Sequence, residues 1–341
     1  MYHVIGEDYT ATDLSKIPRN ATIVRCDCTN ITSLKGCPET VVELDVSRTQ
    51  IENVNGVPKG IQKLVCNNCK KLKSISLPIG INSLQLQRTN LTKIPFLPNL
   101  KHLNVSGSKI TSMPKPIGVN YLIFDYLDFS NTDITNDELA TLPSSLSINL
   151  TGCNSLTSLI NCPDTKTLSC TMAKNITLEG LPSTVSELYC GGTPNIKASD
   201  LPDSIKKLRI YRGNIKSLSE IPRSIVDLEL GNTELKNFLG APKNLKKFEY
   251  SGDIQNFFGL PEGLEVVKVI YGSIKTFLGL PKTVKQVFII EADIRNSVVN
   301  CLILRDLPDF FRTDDAEKAG LVRPKATSLF RAKLELRVPV L

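Results

Sequence analysis

The chain has 341 residues, with 41 Lys and Arg against 34 Asp and Glu, a formal net charge of +7, and 41% hydrophobic residues. It holds no apolar run of the roughly 18 residues needed to span a bilayer. Its start, MYHVIGEDYTATDLSKIP, lacks the basic-then-apolar order of a Sec signal peptide, so a cytoplasmic setting is expected. The only histidines are His3 and His102 and there is no tryptophan, which leaves little room for His-based zinc sites or for Ser–His and Cys–His catalytic pairs.

Residues 1–17 carry no repeat and read as a short N-terminal cap. From Pro18 a period sets in. Prolines stand at 18, 38, 58, 78, 98, 116, 143, 163, 182, 202, 222, 242, 261 and 281. Nine of those 13 intervals are 20 residues, two are 19, and the exceptions are 18 and 27. Within the units apolar residues recur at fixed offsets: Val41, Leu44, Val46, Thr49, Ile51 and Val54 after Pro38; Ile225, Leu228, Leu230, Thr233, Leu235 and Phe238 after Pro222. The pattern P-x-x-I-x-x-L-x-L-x-x-T-x-I-x-x-L is a leucine-rich repeat of about 20 residues, and residues 18–294 read as a solenoid of about 14 such units.

The L-x-L step has period two and predicts a short strand in each unit. Strands at matching places stack as a parallel sheet, because one unit has a single apolar face and only its neighbours can bury it. About 20 residues leave no length for a full return helix, and the proline favours an extended or polyproline-like return. The expected fold is therefore an α/β-class horseshoe, mostly β, with parallel strands on the concave face. Threonine (Thr29, Thr49, Thr89, Thr193, Thr233) or Cys69 fills the turn slot where many such repeats place asparagine. A hydroxyl is expected to support a similar ladder between turns with fewer bonds, and hence a looser stack.

Two places break the period. An insertion is expected near 117–126, before the strand that contains Leu127, and Asn136–Leu139 suits a helical turn on the convex side. After Ile294 the repeat fades into an apolar run (Val298 to Leu304), an acidic patch and a basic tail, expected to form a C-terminal cap over 295–341.

The unit PIGINSLQLQRTNLTKIPFLP, with its I-P-x-L-P ending, resembles the 20-residue LPX leucine-rich-repeat effectors that bacteria inject through type III secretion systems. Two branches of that family matter. YopM-like proteins are nearly bare solenoids that scaffold host proteins. IpaH-like proteins add a ubiquitin-ligase domain with a Cys-x-Asp motif, for which the 47 residues after Ile294 are too few. The resemblance implies a secreted effector that acts in the host cytoplasm; the alternative is the substrate-recognition part of an IpaH-like ligase lacking its catalytic domain. Units such as LPSTVSEL and LPDSIKKL are also similar to FNIP repeats, without the Phe-Asn-x-Pro core.

The ten cysteines follow the repeat slots, where cysteine acts as a small hydrophobe. Cys66-x-x-Cys69 has no second pair at zinc-ligand spacing, and Cys162-Pro163-Asp164 has no basic partner to activate a nucleophile. No enzyme activity, cofactor or metal is expected. The outward strand positions should form a strip: Arg25, Asp45, Val65, Gln85, Asn104, Asp128, Asn149, Ser169, then Tyr189, Arg209, Glu229, Glu249, Lys268 and Phe288. From Tyr189 onward the strip turns aromatic and charged, with Tyr211, Arg212 and Ile290 in the neighbouring row. Tyrosine and arginine are enriched at binding hot spots. Tyr189, Arg209, Tyr211, Arg212, Glu229, Glu249 and Lys268 are the expected binding residues for a protein partner, with no small-molecule substrate. Nucleic acid is disfavoured by the mild net charge, the basic tail (Arg323, Lys325, Arg331, Lys333, Arg337) being the one stretch that could meet it.

Overall fold

The structure is a computed structural model that describes residues 2–4, 11–27, 29–114, 123–212, 215–233, 235, 237–272, 274, 277–290 and 333–337. The chain divides into two compact units, Met1–Val185 and Ser186–Leu341.

Unit 1 is a stack of parallel strands in chain order: β1 (Tyr2–Val4), β2 (Ile23–Arg25), β3 (Glu43–Asp45), β4 (Lys63–Val65), β5 (Ser83–Gln85), β6 (His102–Asn104), β7 (Phe124–Asp128), β8 (Ser145–Asn149) and β9 (Thr165–Ser169). Unit 2 continues the pattern with β10 (Glu187–Tyr189), β11 (Lys207–Tyr211), β12 (Asp227–Gly231), β13 (Lys247–Ser251), β14 (Val266–Ile270) and β15 (Gln286–Ile290). A last strand, β16 (Lys333–Arg337), pairs antiparallel with β15. The rest of the expected C-terminal cap, with its apolar run and the tail residues Arg323, Lys325 and Arg331, lies outside the described residues, as do 117–122 of the expected insertion.

Each conserved offset within a unit has a physical cause. In P-x-x-I, the N–H of the apolar residue donates to the proline carbonyl and closes a tight turn, as in Val41→Pro38 at 3.0 Å and Ile225→Pro222 at 3.2 Å. The turn delivers the chain to the strand, where Leu44 or Leu228 points inward and its two neighbours point out. After the strand the chain turns a corner through a left-handed residue, found at Arg48, Asn68, Arg88, Gly107, Asn131, Gly152, Met172, Gly192, Arg212 and Asn232. The corner N–H donates to the next turn, as in Arg48→Asn67 at 2.8 Å and Asn68→Gln87 at 2.7 Å, so the ladder continues past the strand. For Arg and Met the left-handed conformation costs about 1–2 kcal/mol, against little for Gly.

The core is one row per slot. Val41, Leu44, Val46, Ile51 and Val54 are all at most 2% exposed, and so are Leu208, Leu228, Phe248 and Val267 on successive strands of unit 2. In unit 2 the row becomes aromatic: Phe257 stacks on Phe277 with centroids 5.4 Å apart, and Phe238 meets Phe248 edge-on at 4.9 Å.

The threonine slot makes mostly local bonds, with few between turns. Thr29, Thr49 and Thr132 donate back to the carbonyl three residues earlier in their own turn, each at 2.7 Å. The short hydroxyl reaches its own strand end first, and it meets the next turn where that turn holds a cysteine: Thr49 Oγ1 is 3.6 Å from Cys69 Sγ and Thr132 Oγ1 is 3.8 Å from Cys153 Sγ. Cysteine in that slot does bridge: Cys69 Sγ donates to Val46 O and Cys153 Sγ to Phe129 O, both at 3.1 Å and both one turn back.

The return segments carry little helix. Residues Asn136–Leu139 form a one-turn helix, α1, whose capping box pairs Thr135 with Glu138. Two short 3-10 turns lie at Ala198–Asp200 and Leu218–Glu220. Of the expected insertion, Phe124–Tyr126 belongs to β7 itself, and Phe124 is fully buried.

Candidate functional site: the strand face of unit 2

The register places the strip as one row. Tyr189, Arg209, Glu229, Glu249, Lys268 and Phe288 are successive partners from β10 to β15. Lys207 and Asp227 pair in the row before them, and Tyr211 and Gly231 in the row after.

The side chains of this face form a network of two clusters on adjacent rungs, one around Glu229 and one around Glu249. Arg209 holds Glu229 through Nε, and its guanidinium carbon lies 5.0 Å from the centre of the Tyr189 ring. Lys207 Nζ stands 3.7 Å from Asp227 and 3.9 Å from Glu229. Glu249 is held from two sides: Lys268 Nζ at 2.8 Å, and the Tyr211 hydroxyl, which donates to Oε1 at 2.9 Å. Tyr211 reaches across two turns to do so, because Gly231 leaves room. A Cβ at Gly231 would stand 2.4 Å from the Tyr211 ring.

Burial and charge then set the protonation states. Glu229 is only 7% exposed, and burying a carboxylate is costly unless it is paired, as it is here with Arg209 and Lys207. The hydrogen bond to Glu229 raises the Arg209 pKa further, although burial opposes it. Burial first, then the bond to Glu249, pushes the Tyr211 phenol well up, so it stays a neutral donor. Burial also raises the Asp227 carboxyl, which Lys207 counteracts. The result is a plate of part-exposed tyrosines and cations, each held by a partner on the same face.

Six of the seven expected residues belong to this network. Arg212 does not: it is the left-handed corner after β11, exposed at the strand exit, with its N–H donated to Gly231 O at 2.8 Å. The corner comes one residue past the last outward strand position, so Arg212 leaves the strand row.

The small polar residues of the strip in unit 1 have a structural occupation. Asp45, Asn104, Asp128 and Asn149 each accept the backbone N–H two residues on, at 2.9–3.0 Å. They satisfy the strand end as Asx turns do. His102 is exposed and lies 3.3 Å from an equally exposed Asp125. On the return side of unit 2, Leu239, Phe258 and Leu278 stand exposed, 60%, 47% and 47%, in the slot that Lys35, Asn55 and Glu179 fill in unit 1. The repeated F-L-G, F-F-G and F-L-G before the prolines is the sequence signal for that column.

Of the eight described cysteines, six are buried in their slots and Cys37 and Cys162 are half-buried; the hydrogen bond with Cys66 lowers Cys69 to about 7. Burial first, with Asp164 adding, pushes Cys162 up to about 12, and burial does the same for Cys170. Cys162 is thus a thiol and not a thiolate at neutral pH, and Cys-x-Asp here has no activated nucleophile. Among the described residues no group of three or more His, Cys, Asp or Glu could hold a metal ion. An alkaline transition follows from these shifts. An unfolded thiol ionises near 9 and these near 12, so their stabilisation is whole below about pH 9 and is lost as pH rises towards 12, at up to about 1.4 kcal/mol per pH unit for each thiol. Urea midpoints measured on both sides of pH 9 are expected to fall on the alkaline side, with a shallower fall in Cys170→Val; a flat profile would contradict the burial.

Parallel stacked strands, irregular returns and a 20-residue leucine-rich unit define the chain as a leucine-rich-repeat solenoid. Among solved structures it is similar to YopM, a leucine-rich effector protein from Yersinia pestis, at 18% identity over 86% of this chain and 84% of that one, with a TM-score of 0.52. It is similar to the functional domain of InlJ from Listeria monocytogenes, which includes a cysteine ladder, at 17% identity over 84% and 67%, TM-score 0.50. It is also similar to CroV588, a circular leucine-rich-repeat protein, at 17% identity over 86% and 49%, TM-score 0.57, so it spans about half of that chain. It spans 61% of YopM from Yersinia enterocolitica, at 23% identity over 82% of this chain and TM-score 0.47. Likeness to YopM from Yersinia pestis, InlJ and CroV588 at these identities shows the fold alone. No protein-family model and no curated protein matches the sequence. Among the described residues no helix is long and apolar enough to cross a membrane.

Proposed function

We propose that the chain is a non-enzymatic recognition module that binds a protein partner through the strand face of unit 2. The observation that carries this is the network of Tyr189, Arg209, Glu229, Tyr211, Glu249 and Lys268. Association loses free energy to every side chain it must immobilise, about 0.5–1.5 kcal/mol for each rotamer-rich group. Here the anchors are immobilised beforehand, on rigid strands, with tyrosine and arginine faces still accessible. Small ligands favour enclosed apolar pockets; this face is open and polar-aromatic, which suits a protein surface. The I-P-x-L-P repeat ending supports a bacterial effector of the LPX kind, delivered into the host cytoplasm and binding a host protein there.

The test is affinity capture from eukaryotic lysate with the native chain and with a Tyr189→Ala, Arg209→Ala, Tyr211→Ala variant whose circular dichroism is unchanged. A partner retained by the native chain and lost by the variant is the expected result, since each anchor removed costs about 1–2 kcal/mol or more. Equal retention by both chains would place the site elsewhere.

A further inference from the structure

A second surface lies in unit 1, away from the strand row. Between Glu52 and Asp125 the sequence has no acidic residue over 72 positions, yet ten lysines and arginines. At the chain's average acidic content about seven Asp and Glu would fall there. The stretch builds β4, β5, β6 and the turns that join them. In a solenoid, residues one unit apart become neighbours, so a one-signed run of sequence becomes a one-signed patch of surface.

The patch is densest at the exit ends of the strands. Lys70, Arg88 and Lys109 stand there on three consecutive turns, all exposed. Lys70 Nζ donates to the Arg88 carbonyl at 2.7 Å. The Arg88 side chain lies across the next turn, its Cγ 3.2 Å from where a Cβ of Gly107 would sit, two residues before Lys109. The neighbouring carboxylate Glu52 is taken by Lys73 at 2.9 Å, and Glu43 is paired with Lys63 at the entry end. Among the described residues none of the three forms an ion pair with a carboxylate.

We propose that this edge docks an acidic polypeptide segment. Successive turns are about 4.8 Å apart, and alternate side chains of an extended peptide about 7 Å, a difference that long Lys and Arg arms take up. The guanidinium of Arg88 suits a bidentate carboxylate. Single-stranded nucleic acid is bound by interleaving cations with stacking aromatics, and no aromatic side chain stands among these three. The proposal is independent of the strand face of unit 2.

The test is fluorescence anisotropy of the full chain with labelled dodecaglutamate, at about 50 and 200 mM salt, beside labelled dodecathymidylate. Binding of dodecaglutamate that weakens with salt is expected. Lys70→Glu, Arg88→Glu, Lys109→Glu should weaken it by about tenfold or more, and the milder Lys70→Gln, Arg88→Gln, Lys109→Gln by less. A control with the same charge change at exposed lysines outside that stretch, Lys206→Glu, Lys243→Glu, Lys282→Glu, should stay within about twofold. Equal loss in the control would show a net-charge effect without a site. Unchanged binding in the first variant, no binding at low salt, or tighter dodecathymidylate binding would each overturn the assignment, the last in favour of nucleic acid.

Discussion

Phe257→Ala is expected to destabilise unit 2 by about 3–5 kcal/mol. Phe257 is fully buried, stacked on Phe277 at 5.4 Å and tilted against Phe238 at 6.3 Å, so three successive turns share its ring. Truncation removes the ring's burial and leaves a cavity that stacked backbones, tied turn to turn by hydrogen bonds, have little freedom to close. Phe257→Leu keeps most of the volume and should cost less than half as much. Urea unfolding followed by circular dichroism separates the two. In a repeat array the loss falls on one unit and its neighbours, so Phe257→Ala is also expected to split or broaden the transition. A shift below about 1 kcal/mol would mean that the aromatic row does not hold unit 2 together.

Gly259→Ala is the second large effect. Gly259 has φ +97° and makes the corner two residues before Pro261, and a Cβ there would stand 2.4 Å from Leu239 N and 2.5 Å from Leu239 Cα. Those are backbone atoms of the preceding turn and cannot swing aside. The left-handed conformation alone costs about 1–2 kcal/mol, and separating two turns breaks the ladder as well, so a loss of about 3 kcal/mol or more is expected. Gly60 provides the contrast: nothing lies within 4 Å of its Cβ position and its φ is not in the left-handed region. Gly60→Ala should be neutral or gain up to about 1 kcal/mol from a less flexible unfolded chain. Equal melting of the two variants would remove the close approach as the reason for that glycine.

What the sequence made legible follows from periodicity. A fixed unit length fixes the register, and a period of two fixes which residues face out, so Tyr189, Arg209, Glu229, Glu249 and Lys268 could be lined up without coordinates. The run Asn136–Leu139 also marked α1, while the cap that Thr135 and Glu138 close is seen only in the structure. Bonds between rungs were not legible, because they depend on rotamers: the reach of Tyr211 to Glu249 needs the empty space over Gly231. Nor was the corner at Arg212. Left-handed residues here include Arg48, Arg88 and Met172 as well as Asn and Gly, so residue type does not mark the position. The threonine slot shows why its ladder is sparse, since the hydroxyl finds a carbonyl nearer in its own turn and meets the next turn only at Cys69 and Cys153.

The central claim is that a protein partner contacts the strand face of unit 2. Its most direct measurement is photo-crosslinking with benzoylphenylalanine in place of Tyr189, on that face, or in place of Leu239, on the exposed apolar column of the return side. A covalent adduct with the captured partner is expected from position 189 and none from 239. An adduct from 239 alone would contradict it and would move the binding surface to the column of Leu239, Phe258 and Leu278.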